Sequence, residues 1–297
     1  MKKLIFKGAG VAIVTPFKPD GSINFDVFSK LIEFQIANET DAIIVCGTTG
    51  ESATMTNDEQ ARCIEFVVKK VNGRVPVIGG AGTNNTAHAL ELVKTAAGLG
   101  VNGILSVTPY YNKTTQEGLY RHFTAIADAA GDVPVIVYNV PARTGLNIMP
   151  ETYARLAKHP NINSIKEANG NLPATIKTLD LCGDEVYIYS GEDTVIIPML
   201  SIGCMGVISV LSNICPKETH DMCSLWFAGK VEESAKLQIK YSDLVAALFC
   251  EVSPIPVKTA LKLMGYEVGD CRLPLCEIGE SAKKQLVASM QKFGLIG

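Results

Sequence analysis

Eight short apolar runs, rich in β-branched residues, recur at fairly even intervals between residues 10 and 209 of the 297-residue chain. They lie at 10–14, 42–46, 75–79, 103–108, 133–138, 163–166, 185–189 and 205–209. Such runs are typical of strands that are buried on both faces, as in a parallel sheet. Segments with helical periodicity, such as 58–71 and 88–98, separate them. Eight strands alternating with helices predict an α/β fold, a closed (β/α)8 TIM barrel.

A doubly wound open sheet is the competing layout for alternating strands and helices. It would usually carry a Gly-x-Gly-x-x-Gly turn after an early strand, which this sequence lacks. After Pro216 the strand-like runs stop, and 231–249 and 255–264 are expected to be helical. We therefore expect a barrel catalytic domain over 1–229 and a C-terminal helical extension over 230–297.

Composition and charge exclude several classes of protein. The formal net charge is −3 and the sequence has no block of like charges, so it lacks the basic patch of a nucleic-acid-binding protein. No apolar run approaches the roughly 20 residues of a membrane span, and Lys7 interrupts the N-terminal apolar stretch too early for a signal peptide. The nine cysteines include no Cys-x-x-Cys pair, which fits reduced thiols in a cytoplasmic protein. The four histidines lack a ligand spacing, so no metal is expected.

Chemistry in a barrel of this kind belongs to the carboxyl ends of the strands. The second strand ends in Gly47-Thr48-Thr49-Gly50-Glu51. The glycines allow close approach of the backbone to a ligand, and the N–H groups before a helix suit a carboxylate. A plain strand-to-helix turn with threonine caps is the alternative.

The fifth and sixth strands end in residues that could act on a carbonyl compound. Tyr138 could carry a proton, and Arg143 in the next loop could hold a carboxylate with two hydrogen bonds. Lys166 closes a buried strand, where burial should lower its pKa and free the amine as a nucleophile. The alternatives are a core tyrosine, a solvated arginine, and a lysine that reaches the rim or pairs with Glu167. Since all of these groups fall at catalytic strand ends, together they favour Schiff-base chemistry on a keto acid.

The same motifs resemble the dihydrodipicolinate synthase/N-acetylneuraminate lyase family of class I aldolases over essentially the whole barrel. The resemblance rests on Gly47-Thr48-Thr49-Gly50-Glu51-Ser52, Thr108-Pro109-Tyr110-Tyr111, Tyr138-Asn139-Val140-Pro141-Ala142-Arg143-Thr144-Gly145, Ile165-Lys166-Glu167-Ala168 and Gly206-Val207-Ile208-Ser209. It implies that Lys166 forms the Schiff base, that Tyr138 moves protons to and from it, and that Thr48 and Tyr111 complete the proton relay. The residue matching Tyr111 reaches a neighbouring subunit in the family, which implies a homotetramer built as a dimer of dimers.

The resemblance also implies which residues bind the substrates. Thr49 matches a contact to the carboxylate of pyruvate, and Arg143 matches the residue that holds the carboxylate of the second substrate. Gly191 and Ile208 match residues that line the pocket, Ile208 through its backbone. The implied reaction condenses pyruvate with L-aspartate-4-semialdehyde, on the route to diaminopimelate and lysine, and it needs no metal or organic cofactor.

Other members of the family remain alternatives at this point. Sialic-acid lyases typically have Ser-Thr in the first motif and lack the arginine, whereas some sugar-acid aldolases keep similar turns. A keto-acid-binding barrel without turnover would not need the lysine and both tyrosines.

One departure from the family concerns feedback inhibition. Lysine-inhibited members bind lysine near the positions of Tyr110, Ser52, Ala53 and Asn84, which match. They have an acidic residue where this chain has His88, and a histidine where it has Asn57. We therefore expect weak or absent inhibition by lysine.

Overall fold

The computed structural model describes residues 2–297, and eight parallel strands in it close into a barrel in chain order. The strands are β1 Gly8–Ala12, β2 Ala42–Val45, β3 Val77–Gly80, β4 Gly103–Val107, β5 Val135–Asn139, β6 Ile162–Glu167, β7 Tyr187–Ser190 and β8 Gly206–Ser209. The (β/α)8 barrel is thus confirmed, and each strand end lies within two residues of its predicted position.

Prolines set the start of two strands that were predicted too early. Pro76 and Pro134 stand directly before β3 and β5 and have no N–H to donate to a neighbouring strand. Their carbonyls still accept hydrogen bonds from Ile43 and Ile104. Regular pairing therefore begins only at the residue after each proline.

Nine α-helices accompany the strands of the barrel over residues 2–229. They are α1 Phe25–Ala37, α2 Asn57–Val71, α3 Thr86–Gly98, α4 Gln116–Ala129, α5 Pro141–Thr144, α6 Pro150–Leu156, α7 Leu172–Cys182, α8 Ile196–Ser201 and α9 Pro216–Phe227. The start of α2 shows how the sequence fixes such a boundary. The Thr56 hydroxyl accepts from the Glu59 N–H, and the Glu59 carboxylate accepts from the Thr56 N–H, so the two form a capping box.

The C-terminal extension contains four further helices within the described residues. They are α10 Val231–Lys240, α11 Ser242–Leu248, α12 Ile255–Leu263 and α13 Glu280–Lys292. The stretch 231–249 is helical as expected, but a bend at Tyr241 divides it into α10 and α11. The bend buries the Tyr241 ring, which stacks on Phe293 at 4.8 Å, and lets α11 pack against α13.

Two apolar clusters hold the molecule together. The larger one fills the space between the strands and the helices, and the smaller one fills the barrel interior. Phe6 and Tyr189 stack at 4.3 Å in this interior, beside Ile136, Tyr138 and Ile208. The barrel is therefore packed with side chains below the ends of the strands, and space for a ligand begins only above them. No helix within residues 2–297 has the length and apolar character needed to cross a membrane.

Candidate active site

A cavity of about 570 Å³ lies at the carboxyl ends of the strands. Its walls come from seven of the eight strands or the loops that follow them, and from the C-terminal extension. Residues predicted from the sequence that line it are Thr48, Thr49, Tyr138, Arg143, Lys166 and Gly191. The structure therefore brings six of the eight predicted site residues to one cavity, and it places Tyr111 and Ile208 elsewhere.

Lys166 and Tyr138 lie side by side because β5 and β6 are neighbours with these two residues in register. The Nζ atom of Lys166 is 4.3 Å from the centre of the Tyr138 ring. Both residues are only 6% exposed. Adjacent parallel strands thus present an amine and a phenol together at the floor of the cavity.

Burial lowers the pKa of Lys166 to about 8. The nearby Asp193 carboxylate favours the ammonium and limits the shift, whereas the Arg143 guanidinium acts in the same direction as burial. No carboxylate in residues 2–297 forms a salt bridge with Lys166; the other buried lysine, Lys258, is paired with Glu51 at 2.8 Å. An unpaired lysine with a lowered pKa supplies a neutral amine, which is the nucleophilic form.

Glu167 follows Lys166 in sequence but faces the other side of the strand. Its carboxylate accepts hydrogen bonds from Asn139 at 2.9 Å and from the Tyr153 hydroxyl at 2.9 Å. Burial raises the pKa of Glu167 to about 7. The alternative in which Glu167 pairs with Lys166 is therefore not what the structure contains.

Tyr138 has a hydroxyl that remains protonated at neutral pH. Burial raises its pKa to about 12, although the nearby Arg143 charge and Thr48 side chain oppose the shift. Thr48 and Tyr138 line the cavity together with Lys166, so two hydroxyl groups are available there to move a proton.

The loop after β2 has the form of an anion cradle. Gly50 donates to the Gly47 carbonyl at 3.1 Å, and the Thr15 hydroxyl donates to the Gly50 carbonyl at 2.7 Å. The N–H groups of Thr48 and Thr49 have no acceptor among residues 2–297, although Thr49 is buried. Free donors at the mouth of a barrel suit a carboxylate ligand.

Arg143 and Gly191 both line the cavity, after β5 and after β7. Arg143 is in α5, and its guanidinium donates to the Ser253 carbonyl at 3.1 Å. At Gly191 a Cβ atom would lie 2.7 Å from the Cβ of Ala168 and 3.0 Å from the Glu167 carbonyl. Only glycine fits this position, so the wall stays thin where β7 ends.

Two predicted residues do not line the cavity of their own chain. Ile208 is 1% exposed and belongs to the interior cluster that includes Tyr138. Tyr111 is 91% exposed and has a left-handed backbone with φ of 67°. At this exposure its side chain is left uncovered by its own chain.

Sequence reasoning missed the residues that the extension contributes. Phe249, Glu251, Val252 and Ser253 line the mouth of the cavity, although no motif marks them. Asp193 was also missed. Its carboxylate accepts from the two N–H groups that follow β8 at 2.9 Å each, and a signal existed because it comes three residues after β7 ends at Ser190.

A second cavity of about 320 Å³ opens beside the first, and Thr48 and Arg143 border both. Most of the residues on which the expectation of weak inhibition by lysine rests line this cavity. They are Ser52, Ala53, Asn57, His88 and Tyr110. The His88 ring contacts the Asn57 side-chain oxygen at 2.9 Å. Neither side chain carries the negative charge that an ammonium ligand would favour.

One group of side chains away from the cavity could offer three ligands to a metal ion. It consists of Glu39, His220 and Asp221. The ammonium of Lys217 already contacts both carboxylates, and the other ring nitrogen of His220 binds Asp41 at 2.9 Å. The Lys217 ammonium of the same chain therefore balances negative charge in this group.

Comparison with known proteins identifies the family. Residues 5–293 match the profile of the Dihydrodipicolinate synthetase family. The chain is 52% identical over 291 residues to 4-hydroxy-tetrahydrodipicolinate synthase of Caldicellulosiruptor saccharolyticus, which covers 98% of each chain. Among solved structures it is similar to dihydrodipicolinate synthase of Thermotoga maritima, with a TM-score of 0.96, 43% identity and coverage of 99% and 100%.

A further solved structure that is similar bears on assembly. It is described as the first monomeric dihydrodipicolinate synthase variant, and it matches with a TM-score of 0.95, 44% identity and coverage of 98% of each chain. These likenesses extend over the barrel and the C-terminal extension alike. The chain therefore belongs to the dihydrodipicolinate synthetase family.

Proposed function

We propose that this chain condenses pyruvate with L-aspartate-4-semialdehyde through a Schiff base on Lys166. This is the reaction of a 4-hydroxy-tetrahydrodipicolinate synthase, a lyase on the route to diaminopimelate and lysine, and the relatives of the chain carry that name. The observation that carries the proposal is the buried, unpaired amine of Lys166 beside the Tyr138 ring, next to free backbone donors at Thr48 and Thr49.

The first half of the reaction makes a nucleophile from pyruvate. The neutral Lys166 amine adds to the ketone carbon, and the resulting hydroxyl leaves as water once it has taken a proton from Tyr138. The imine then loses a methyl proton and becomes an enamine. Thr48, which lines the cavity with Tyr138, passes protons onward, and the N–H groups of Thr48 and Thr49 hold the carboxylate throughout.

The second half joins the two substrates. The enamine carbon attacks the aldehyde, whose oxygen takes a proton, while Arg143 holds the carboxylate of the semialdehyde. The amine of the semialdehyde then adds to the imine carbon and displaces Lys166, which closes the ring and frees the enzyme. One water leaves for each product formed, and no metal or organic cofactor enters these steps.

The remaining site residues have supporting roles in this proposal. Gly191 keeps the wall thin so that the ring can close against it, and the backbone of Ile208 supports the floor from below. Residues 1–229 and 230–297 act as one catalytic unit, because the extension lines the mouth of the cavity.

The assembly and compartment belong to the proposal as well. Tyr111 has no part in the cavity of its own chain, so a relay that includes it needs a neighbouring subunit, as in a homotetramer whose tight dimers share this residue. The monomeric variant among the similar structures indicates that the fold alone does not fix the assembly. We place the enzyme in the cytoplasm, with pyruvate and the semialdehyde as its partners.

A coupled assay tests the proposed function directly. Purified protein is mixed with pyruvate and L-aspartate-4-semialdehyde, and product is followed through an NADPH-dependent reductase. We expect turnover that disappears in Lys166→Ala. Absence of turnover with an active coupling enzyme would overturn the assignment of the second substrate, and other aldehydes would then be tested on the same protein.

A further inference from the structure

A fully buried ion pair joins the C-terminal extension to the loop that follows β2. The Nζ atom of Lys258, in α12, lies 2.8 Å from a carboxylate oxygen of Glu51. The two side chains are 2% and 0% exposed. The other carboxylate oxygen accepts from the N–H of Arg272 at 2.9 Å, and the Lys258 ammonium also donates to the Asp270 carbonyl at 2.9 Å.

Holding the extension in place with this buried ion pair costs free energy. Removing both charges from water opposes folding, and apolar residues of similar volume often stabilise such a position equally well or better. The extension also has a second link to the barrel, because the Arg272 guanidinium binds the Glu59 carboxylate through two contacts. Stability alone therefore gives little reason for a charged pair at Glu51 and Lys258.

The position of Glu51 suggests another role. It is the residue directly after the cradle 47–50, and its N–H donates to the Thr48 carbonyl at 3.0 Å. Its backbone is left-handed, with φ of 57°, which is uncommon for a residue with a side chain. The buried carboxylate fixes that conformation, since both of its oxygens are held by residues more than 200 positions away. Any movement of the carboxylate would shift the Thr48 carbonyl and the free N–H groups beside it.

We propose that Glu51 and Lys258 form a positioning pair that aligns the Thr48 and Thr49 N–H groups for the carboxylate of pyruvate. The inference rests on the proposed function, because it takes pyruvate as the ligand of the cradle. The pair does not touch substrate. It acts by fixing the backbone from below the loop, and the C-terminal extension thereby takes part in binding the first substrate and not only in covering the barrel.

Two variants separate positioning from stability. Glu51→Met leaves the Lys258 ammonium buried without a carboxylate to balance its charge, whereas Glu51→Met/Lys258→Met removes both charges and keeps similar volumes. We expect the single variant to unfold at a lower temperature and the double variant to recover most of the loss. In both, the pyruvate concentration that gives half-maximal borohydride trapping should rise about tenfold or more, because a misplaced cradle loses its alignment. The KM for the semialdehyde should change little, since Arg143, which is proposed to hold that substrate, contacts neither residue of the pair.

Glu59→Gln is the matched control, because it weakens the other link to the extension without touching the cradle. It should leave the pyruvate dependence unchanged. A double variant whose pyruvate dependence returns to the wild-type value together with its stability would show that the pair is merely structural, and would overturn the inference. Wild-type protein that traps no pyruvate would overturn the proposed function, and the inference with it, so the two failures are distinguishable.

Discussion

At the scale of single residues, two buried lysines in this chain have opposite chemistry because their neighbours differ. Lys258 is held by Glu51 and a backbone carbonyl, so its amine is occupied. Lys166 has an aromatic ring and no salt bridge among the described residues, and burial lowers its pKa to about 8. The neighbours, more than the residue type, decide which lysine can attack a ketone.

The Tyr138 hydroxyl should be needed for chemistry and not for the fold. Tyr138→Phe keeps the ring that packs beside Lys166 and removes only the oxygen that exchanges protons. We expect kcat to fall by roughly 10²–10⁴-fold, the usual contribution of a general acid–base group. Steady-state kinetics with both substrates measures the loss, and unfolding temperature serves as the control. Activity within twofold of wild type would remove Tyr138 from the mechanism.

The rate with pyruvate should follow the ionisation of Lys166. Only the neutral amine attacks, and its fraction rises with pH until the pKa, about 8, has been passed. We therefore expect kcat/KM for pyruvate to increase about tenfold per pH unit on the acid side and to level off above the pKa. The Arg143 charge helps to lower this pKa, so Arg143→Met should move the midpoint to higher pH. A profile that stays flat between neutral pH and pH 9 would contradict this account.

Prediction from sequence succeeded in bringing Tyr138 and Lys166 together, because their positions follow from the order of the strands. Tyr138 and Lys166 close neighbouring strands, and a barrel must bring such ends together. It failed for Asp193 and Glu51, because their importance comes from hydrogen bonds to chain segments distant in sequence. No local sequence pattern predicts which carboxylate will accept hydrogen bonds from distant segments of the chain.

At the scale of elements, the barrel closes where β1 meets β8, and glycine makes that junction possible. Gly8 and Gly206 are paired in register, with φ of 118° and 147°. A Cβ atom on Gly206 would lie 1.8 Å from the Gly8 carbonyl oxygen. The strand bounds were predicted well because apolar runs rich in β-branched residues are distinctive in a sequence. Those runs do not show how closely the backbones of Gly8 and Gly206 approach each other.

Gly206→Ala should weaken barrel closure. The added methyl group meets backbone, which cannot move aside as a flexible side chain could, and the left-handed conformation adds strain. We expect the free energy of unfolding to fall by about 1–3 kcal/mol or more. Urea unfolding measures it, with Gly98→Ala in α3 as control, because no atom lies within 4 Å of a Cβ atom there. Equal stability of the two variants would argue against a tight junction.

At the scale of the whole molecule, the extension carries the site beyond the barrel, and the role proposed for Tyr111 would carry it to a second subunit. The extension was predicted as helical but was not expected to line the cavity, since Phe249 and Ser253 lie in no recognisable motif. Tyr111 cannot be understood within one chain, because its side chain is 91% exposed. Contacts across such distances depend on the packed structure and on the assembly, which sequence periodicity does not encode.

Mixed subunits test whether Tyr111 serves a neighbour. Tyr111→Phe and Lys166→Ala should each lose activity when assembled alone. In a tight dimer of one of each, the subunit that keeps Lys166 receives Tyr111 from its partner, so one of two sites is intact. Random mixing should therefore restore about a quarter of wild-type activity. A mixture that stays inactive after subunit exchange has been verified would place the tyrosine in its own chain's chemistry.

Feedback by lysine should be weak in this enzyme. The second cavity presents His88 and Asn57, which bind each other and offer no carboxylate to an ammonium. We expect little inhibition at submillimolar lysine, and stronger inhibition in His88→Glu, because an added negative charge would attract the ligand. Initial rates against lysine concentration measure both, with His88→Gln as the uncharged control. Strong inhibition of the wild-type protein would refute this expectation.

The central claim is that pyruvate becomes covalently attached to Lys166. The protein is incubated with pyruvate, reduced with borohydride, digested, and mapped by mass spectrometry. The account predicts a carboxyethyl group on the peptide that contains Lys166, none on Lys258, and none anywhere when pyruvate is omitted or Lys166→Ala is used. A fully active preparation that carries the group on another lysine, or on no residue at all, would contradict it.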